Sequence, residues 1–209
     1  MDDVELTVEK ALRWLKLTNE KVQSNKENLT SLDRAIGDGD HGINMARGFQ
    51  EVILNVGASD YTAVSDVLKD TAMTLMAKVG GASGPLYGTA FLKMATVTKG
   101  EEIVDHPVFT HALDEALQGI QLRGKANVGD KTLVDVWTPV VELFKEKRLV
   151  TADQLIVTAK HAMESTKDEI ASKGRAAYLK ERSRGHLDPG SVSSYYLFEA
   201  LAEVMKEGE

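Results

Sequence analysis

Val64-Ser65-Asp66-Val67-Leu68-Lys69-Asp70-Thr71-Ala72-Met73-Thr74-Leu75-Met76-Ala77-Lys78-Val79 decides the fold class. Val64, Val67, Leu68, Thr71, Ala72, Leu75, Met76 and Val79 recur at steps of three and four. An α-helix turns once in about 3.6 residues, so that spacing sets them on one face. A half-buried strand would instead alternate. The same helical spacing recurs in Phe109, Leu113, Ala116, Leu117 and Ile120, in Leu133, Val136, Trp137, Val140 and Phe144, and in Phe198, Leu201, Ala202 and Met205. Periodicity predicts about eight helices, over 3–23, 42–56, 60–79, 85–98, 106–122, 132–147, 151–172 and 190–206. No stretch alternates convincingly. The connections are mostly short, which favours antiparallel neighbours. The expectation is an all-α fold, with 1–209 forming one domain.

Bulk properties exclude several classes of function. The chain has 209 residues and a formal net charge of −7. It lacks the basic arm or stripe that a phosphate backbone requires, so no nucleic acid is expected as a partner. No apolar run approaches the roughly 18 residues of a membrane helix. The start, Met1-Asp2-Asp3-Val4-Glu5, lacks the basic and apolar regions of a signal peptide. There is no cysteine and hence no disulfide. A cytoplasmic protein with no membrane partner is expected.

The chemistry concentrates in Asp33-Arg34-Ala35-Ile36-Gly37-Asp38-Gly39-Asp40-His41-Gly42. Like charges this close repel unless a cation sits among them. Glycine lets the backbone turn tightly enough for Asp33, Asp38 and Asp40 to face one point. Oxygen ligands suit Mg²⁺ first and Ca²⁺ second. An EF-hand would need Glu at the twelfth loop position, and counting from Asp38 that position is Phe49. Zinc is disfavoured by a single nearby histidine and the absence of cysteine.

Three further turns interrupt the helical pattern. Gly80-Gly81-Ala82-Ser83-Gly84-Pro85 closes one helix and opens the next. It is not a Walker loop, because no Gly-Lys-Ser/Thr follows. Its small residues suit either a close helix crossing or the approach of a ligand to the backbone. Gly124-Lys125-Ala126-Asn127-Val128-Gly129-Asp130-Lys131-Thr132-Leu133-Val134-Asp135 is the second. Thr132 and Asp135 have capping-box spacing, which accounts for both without a ligand. Gly174-Arg175-Ala176-Ala177-Tyr178 through Arg182-Ser183-Arg184-Gly185-His186-Leu187-Asp188-Pro189-Gly190-Ser191 is the third and longest. Its arginines are either solvated charge or phosphate partners. A carboxylate cluster, helix-opening turns and an arginine loop together favour Mg²⁺–nucleotide chemistry.

These motifs, in this order and across nearly the whole chain, resemble the nucleotide-binding L subunits of dihydroxyacetone kinases. The resemblance rests on Gly37-Asp38-Gly39-Asp40-His41-Gly42-Ile43-Asn44-Met45, Gly80 to Gly88, Gly129-Asp130-Lys131-Thr132, Gly174-Arg175-Ala176 and Asp188-Pro189-Gly190. It implies an antiparallel barrel of eight amphipathic helices with the nucleotide at one end. It implies that Asp33, Asp38 and Asp40 hold two Mg²⁺ ions. It also implies that His41, Gly42, Asn44, Ala82, Ser83, Gly124, Leu133, Arg175, Asp188, Pro189 and Gly190 contact ADP or ATP.

The family implies partners as well. A separate K subunit carries dihydroxyacetone, and the γ-phosphoryl group passes to it. In the phosphotransferase-system version a phosphohistidine-carrying subunit rephosphorylates ADP, which stays bound as a coenzyme. A stand-alone chain of this length favours that version over the fused, ATP-dependent one. Two alternatives stay open: a subunit of an ATP-dependent kinase for another small keto-sugar, and a nucleotide-state-dependent module that binds a transcription regulator. The fatty-acid kinase domain fits less well, because its metal loop is expected to have Thr where this chain has His41.

Overall fold

Eight helices close on one another in a ring. The computed structural model describes residues 5–101 and 103–207. The ring members are α1 (Val8–Ser24), α3 (His41–Val56), α4 (Val64–Lys78), α5 (Ser83–Val97), α6 (His106–Gly124), α7 (Val134–Glu146), α8 (Ala152–Ser165) and α9 (Pro189–Lys206). Each packs on the next in that order, and α9 returns to α1. A ninth helix, α2 (Lys26–Ile36), stands outside the ring and packs on α3 and α9. A 3₁₀ segment, Arg175–Ser183, touches α2. Among the described residues there is no strand, only an isolated bridge between Leu6 and Val104. None of the described helices is long and apolar enough to cross a membrane.

The all-α reading holds, and the ring has the eight members that the family resemblance implies. Two departures have physical causes. Periodicity predicts no helix between 24 and 41, yet α2 is there. Its inward positions include Thr30 and Asp33, both buried, so polar residues break the apolar stripe. Only Asn25 separates it from α1. The predicted helix over 151–172 ends at Ser165 instead. Beyond that point the carbonyls of Thr166 and Glu169 accept from the Lys131 ammonium. The predicted start at residues 3 and 4 lies outside the described residues, as does the Met1–Val4 stretch used against a signal peptide.

The ring is filled rather than hollow. Trp14 of α1 meets Phe91 of α5 at 5.7 Å and Phe109 of α6 at 6.4 Å between ring centroids. Phe109 continues to Phe144 of α7 at 5.5 Å. These helices are not all neighbours in the ring, so the contacts cross its middle. Each such aromatic side chain buries on the order of 200 Å², worth about 5 kcal/mol at 25 cal/mol per Å². The polar edges are satisfied too: Trp14 Nε1 donates to Leu197 O at 2.8 Å and Trp137 Nε1 to Ser194 Oγ at 3.1 Å.

Up-and-down closure sets α3, α5, α7 and α9 to start at one end. The helices that start at the opposite end are mostly capped there. Thr7 accepts from Lys10 N and Asp105 from Val108 N. Thr151 and Gln154 form a full capping box, while α4 begins at Ala63 without one. Both described chain ends also lie at this opposite end, where the Arg13 guanidinium holds the Glu207 carboxylate at 2.6 Å.

The seating of α2 depends on Gly42. A methyl group there would stand 2.2 Å from Lys26 O and 2.7 Å from Thr30 N, both backbone atoms. Gly42→Ala is therefore expected to push α2 off α3 and to cost about 1–3 kcal/mol, as overpacking does. Urea denaturation of the two proteins checks this, and an unchanged midpoint would contradict the packing account.

Candidate functional site

A cavity of about 500 Å³ opens at the end where α3, α5, α7 and α9 begin. That size suits a drug- or nucleotide-sized ligand. Its wall carries the end of α2, the first residues of α3 and the Gly80–Ser83 turn. It also carries the end of α6, the Lys131–Val134 turn, Lys173–Ala176 and Asp188–Gly190. The N-cap residues Asp40, Ala82 and Leu133 make no side-chain capping bond. Helix starts of this kind present backbone N–H groups and partial positive charge, which favour an anion.

On one side of the cavity stand three carboxylates. Asp33, Asp38 and Asp40 each offer an oxygen, and those oxygens lie within 4.8 Å of one another. Asp33 is buried at the end of α2, and its Oδ2 accepts from Asp40 N at 2.8 Å and His41 N at 3.0 Å. Its Oδ1 occupies space that a side chain at residue 37 would take, since a methyl there would stand 2.1 Å away. Gly37 is thus required by the placement of the ligand atom rather than by backbone strain. Gly39 has φ +76, the left-handed conformation that glycine adopts without penalty. Three convergent hard oxygens fit a divalent cation such as Mg²⁺. The Arg175 Nε contacts Asp38 Oδ2 at 2.8 Å from a largely exposed side chain.

His41 joins the rim of the cavity to the core. Its Nδ1 lies 3.1 Å from Ser83 Oγ and its Nε2 lies 2.9 Å from Ser193 Oγ. Ser193 Oγ continues to Tyr87 OH at 2.8 Å, and Tyr87 OH to Ser194 Oγ at 2.7 Å. Burial pushes the imidazole down to about 4, against the opposing pull of Asp33 and Asp40. The ring is therefore neutral at physiological pH and acts as a hydrogen-bond link, not as a cation.

The opposite side of the cavity is apolar, with Leu86, Ile120 and Leu133 in the wall. Asp188 caps α9 by accepting from Ser191 N at 2.6 Å. Desolvation at the cavity wall raises its carboxyl to about 7, opposed by the Ser191 hydrogen bonds.

Of the fourteen residues that the sequence singles out, twelve line this cavity: Asp33, Asp38, Asp40, His41, Ala82, Ser83, Gly124, Leu133, Arg175, Asp188, Pro189 and Gly190. Gly42 and Asn44 do not. Gly42 faces α2, and buried Asn44 sits beneath Gly80 while its Oδ1 accepts from Arg47 Nη2 at 2.8 Å. The Thr132–Asp135 capping box forms only in part. Asp135 accepts from Thr132 N at 2.6 Å, but Thr132 Oγ1 accepts from Val134 N rather than from Asp135. Nothing in the sequence singles out Ser193 and Ser194, which lie in an ordinary helical stretch, and Tyr87 falls within the Gly80–Gly88 motif without being named as a site residue.

The half-buried Asp188 sets a pH dependence. Its folded carboxyl holds a proton to higher pH than the unfolded one, so stability from this group is present at acid pH. That stability is lost as pH rises from about 4 through about 7. Asp188→Asn keeps an acceptor for the cap but cannot ionise. Measured by urea denaturation without nucleotide, the variant should gain on the parent between pH 5 and pH 8. A gain of a few kcal/mol is expected, at about 1.4 kcal/mol for each tenfold change in proton affinity. A constant difference across that range would contradict the assignment.

Comparison with known proteins bears on the identity of this site. The family profile described as "DAK2 domain" matches residues 35–203. The chain is 49% identical over 193 residues to the PEP-dependent dihydroxyacetone kinase 1, ADP-binding subunit DhaL, of Listeria innocua, covering 92% of this chain and 94% of that one. It is 46% identical to the PTS-dependent dihydroxyacetone kinase, ADP-binding subunit DhaL, of Lactococcus lactis, covering 96% and 99%. The fold matches the dihydroxyacetone kinase of C. freundii solved with AMP-PNP and Mg²⁺, with a TM-score of 0.74 at 21% identity. That match covers 96% of this chain and 34% of the C. freundii chain, so the present chain spans about a third of that enzyme. The chain belongs to the DAK2-domain family, among the ADP-binding DhaL subunits of dihydroxyacetone kinases.

Proposed function

We propose that this chain carries the nucleotide for a multi-subunit dihydroxyacetone kinase. The observation that carries the reading is that three carboxylates and three uncapped helix starts line one cavity. A divalent cation and anionic phosphates complement the carboxylates and the helix starts, and the apolar wall of Leu86, Ile120 and Leu133 suits a base.

The Leu86, Ile120 and Leu133 side would receive the base, and the starts of α3 and α5, with the Ser83 hydroxyl, would receive the phosphates. Arg175 is placed to share charge with the phosphates, because its guanidinium reaches Asp38 across the mouth. Asp33, Asp38 and Asp40 would hold Mg²⁺, two ions on this reading. When bound, Mg²⁺ neutralises charge between the phosphates, so an incoming hydroxyl meets less repulsion. The chain's own part is to position and to screen.

The acceptor is dihydroxyacetone, held on a separate K subunit. A phosphohistidine-carrying subunit returns the phosphoryl group to bound ADP. The names of the Listeria and Lactococcus subunits, PEP- or PTS-dependent and ADP-binding, support that donor over free ATP.

Two experiments test the reading. Protein purified in Mg²⁺ without added nucleotide should release near-stoichiometric ADP on denaturation, and EDTA should strip that ADP from the folded protein. A chain that arrives empty and exchanges ATP–Mg²⁺ freely would replace the bound-coenzyme account with an ATP-dependent one. A chain that binds no nucleotide would overturn the proposal. Separately, Asp38→Asn and Asp40→Asn should lower phosphoryl transfer to dihydroxyacetone in the reconstituted system by about 10²-fold or more, with unchanged far-UV circular dichroism. Transfer with normal metal dependence in either variant would remove that carboxylate from the metal site.

A further inference from the structure

Lys131 is 1% exposed, the least usual position for a lysine. Its backbone is left-handed, with φ 61. That conformation costs a non-glycine residue free energy, so the surrounding structure must hold it. The side chain shows what does. Its Nζ donates to Thr166 O at 2.5 Å, His186 O at 2.6 Å and Glu169 O at 3.2 Å. An ammonium has three N–H donors and no acceptor. All three are used, and every acceptor is a backbone carbonyl. Burial lowers the proton affinity of this ammonium, and the nearby acidic groups Asp188, Glu169, Asp168 and Asp135 oppose that without cancelling it.

The positions of those carbonyls are informative. Thr166 and Glu169 lie where the chain leaves α8, and His186 lies where it returns to α9. Between them runs the longest non-α-helical excursion of the chain, with Arg175 in its course. Other bonds join these parts pairwise: Gly185 N to Lys167 O at 2.7 Å, Ala171 N to Ser183 Oγ at 2.9 Å, Asp188 N to Thr166 Oγ1 at 3.2 Å, Ser172 to Asp130 through its N and its Oγ, and Ser191 Oγ to Thr132 O at 2.7 Å. The Lys131 ammonium is the single group that bonds both stems at once, just before the start of α7.

We propose that Lys131 is a positioning residue of the nucleotide site, clamping both stems of the 166–188 segment so that Arg175 and Asp188–Gly190 stand at the cavity. The proposal rests on the nucleotide reading above. It differs from a phosphate-binding role for this lysine, since no N–H of the ammonium is left for a ligand.

The test uses the full chain and two readouts. Lys131→Met keeps the length and removes the donors. Without nucleotide, amides of 167–187 should exchange hydrogen faster in the variant than in the parent, while amides of α4 and α5 stay unchanged. Affinity for Mg²⁺–ADP, measured by calorimetry well below the melting temperature, should fall about tenfold or more, because small misplacements of binding groups are costly. Faster exchange with parental affinity would make Lys131 merely structural and overturn the proposal. Lower affinity with parental exchange would make it a ligand contact and overturn it equally. If Lys131→Met does not fold, Lys131→Arg takes its place. A guanidinium cannot meet three convergent carbonyls through one nitrogen, so exchange should rise and affinity should still fall. Parental values in both readouts would overturn the clamp. A parent that binds no Mg²⁺–ADP would sink the nucleotide reading, while the exchange comparison would still decide whether the clamp exists.

Discussion

Closure of the ring by antiparallel neighbours is the constraint from which the site follows. Eight helices that alternate in direction and meet end to end leave every second helix starting at the same end. The starts of α3, α5, α7 and α9 therefore converge whatever their sequence. Convergence of four positive helix ends is unfavourable unless something negative lies among them. The chain supplies Asp33, Asp38 and Asp40 on one side and leaves room for an anionic ligand on the other. The missing caps at Asp40, Ala82 and Leu133 belong to the same logic, since a capped helix start has fewer donors to offer.

The site is tied to the core by polar groups rather than by apolar packing alone. Ser83, His41, Ser193, Tyr87, Ser194 and Trp137 form one continuous set of contacts from the cavity to the barrel interior. Buried polar groups are costly when unpaired, so such a chain tolerates few alternative arrangements. It fixes His41 and Ser83 before any ligand arrives. Preorganisation of this kind suits a reaction in which the protein mainly positions charge.

Most of the ring is legible in the sequence, because each member has an apolar stripe at helical spacing. The helix at the site is the one that is not. In α2 the inward positions go to Thr30 and Asp33, and the residue that makes the helix functional erases its hydrophobic signature. The overlong helix over 151–172 has a related cause. Ile170 and Ala171 keep the apolar spacing, while the chain past Ser165 tightens into i→i+3 turns and the carbonyls of Thr166 and Glu169 accept from the Lys131 ammonium. The carboxylate cluster is legible because aspartates crowded among glycines repel one another unless a cation joins them. The wiring of His41 is not: its partners lie 42 and 152 positions away, beyond the reach of local pattern. Gly42 shows the limit of carrying residues over from a motif. Its place beside the aspartates does not reveal whether it meets a ligand or a neighbouring helix.

The Arg13–Glu207 contact has a consequence for how such a unit can be assembled. An exposed ion pair of this kind adds little stability, but it joins the first half of α1 to the end of α9, on the face opposite the cavity. Polypeptide fused beyond the described residues would leave from that face, without crossing the mouth. The geometry makes the barrel a portable cartridge, suited to gene fusion while its working end stays free.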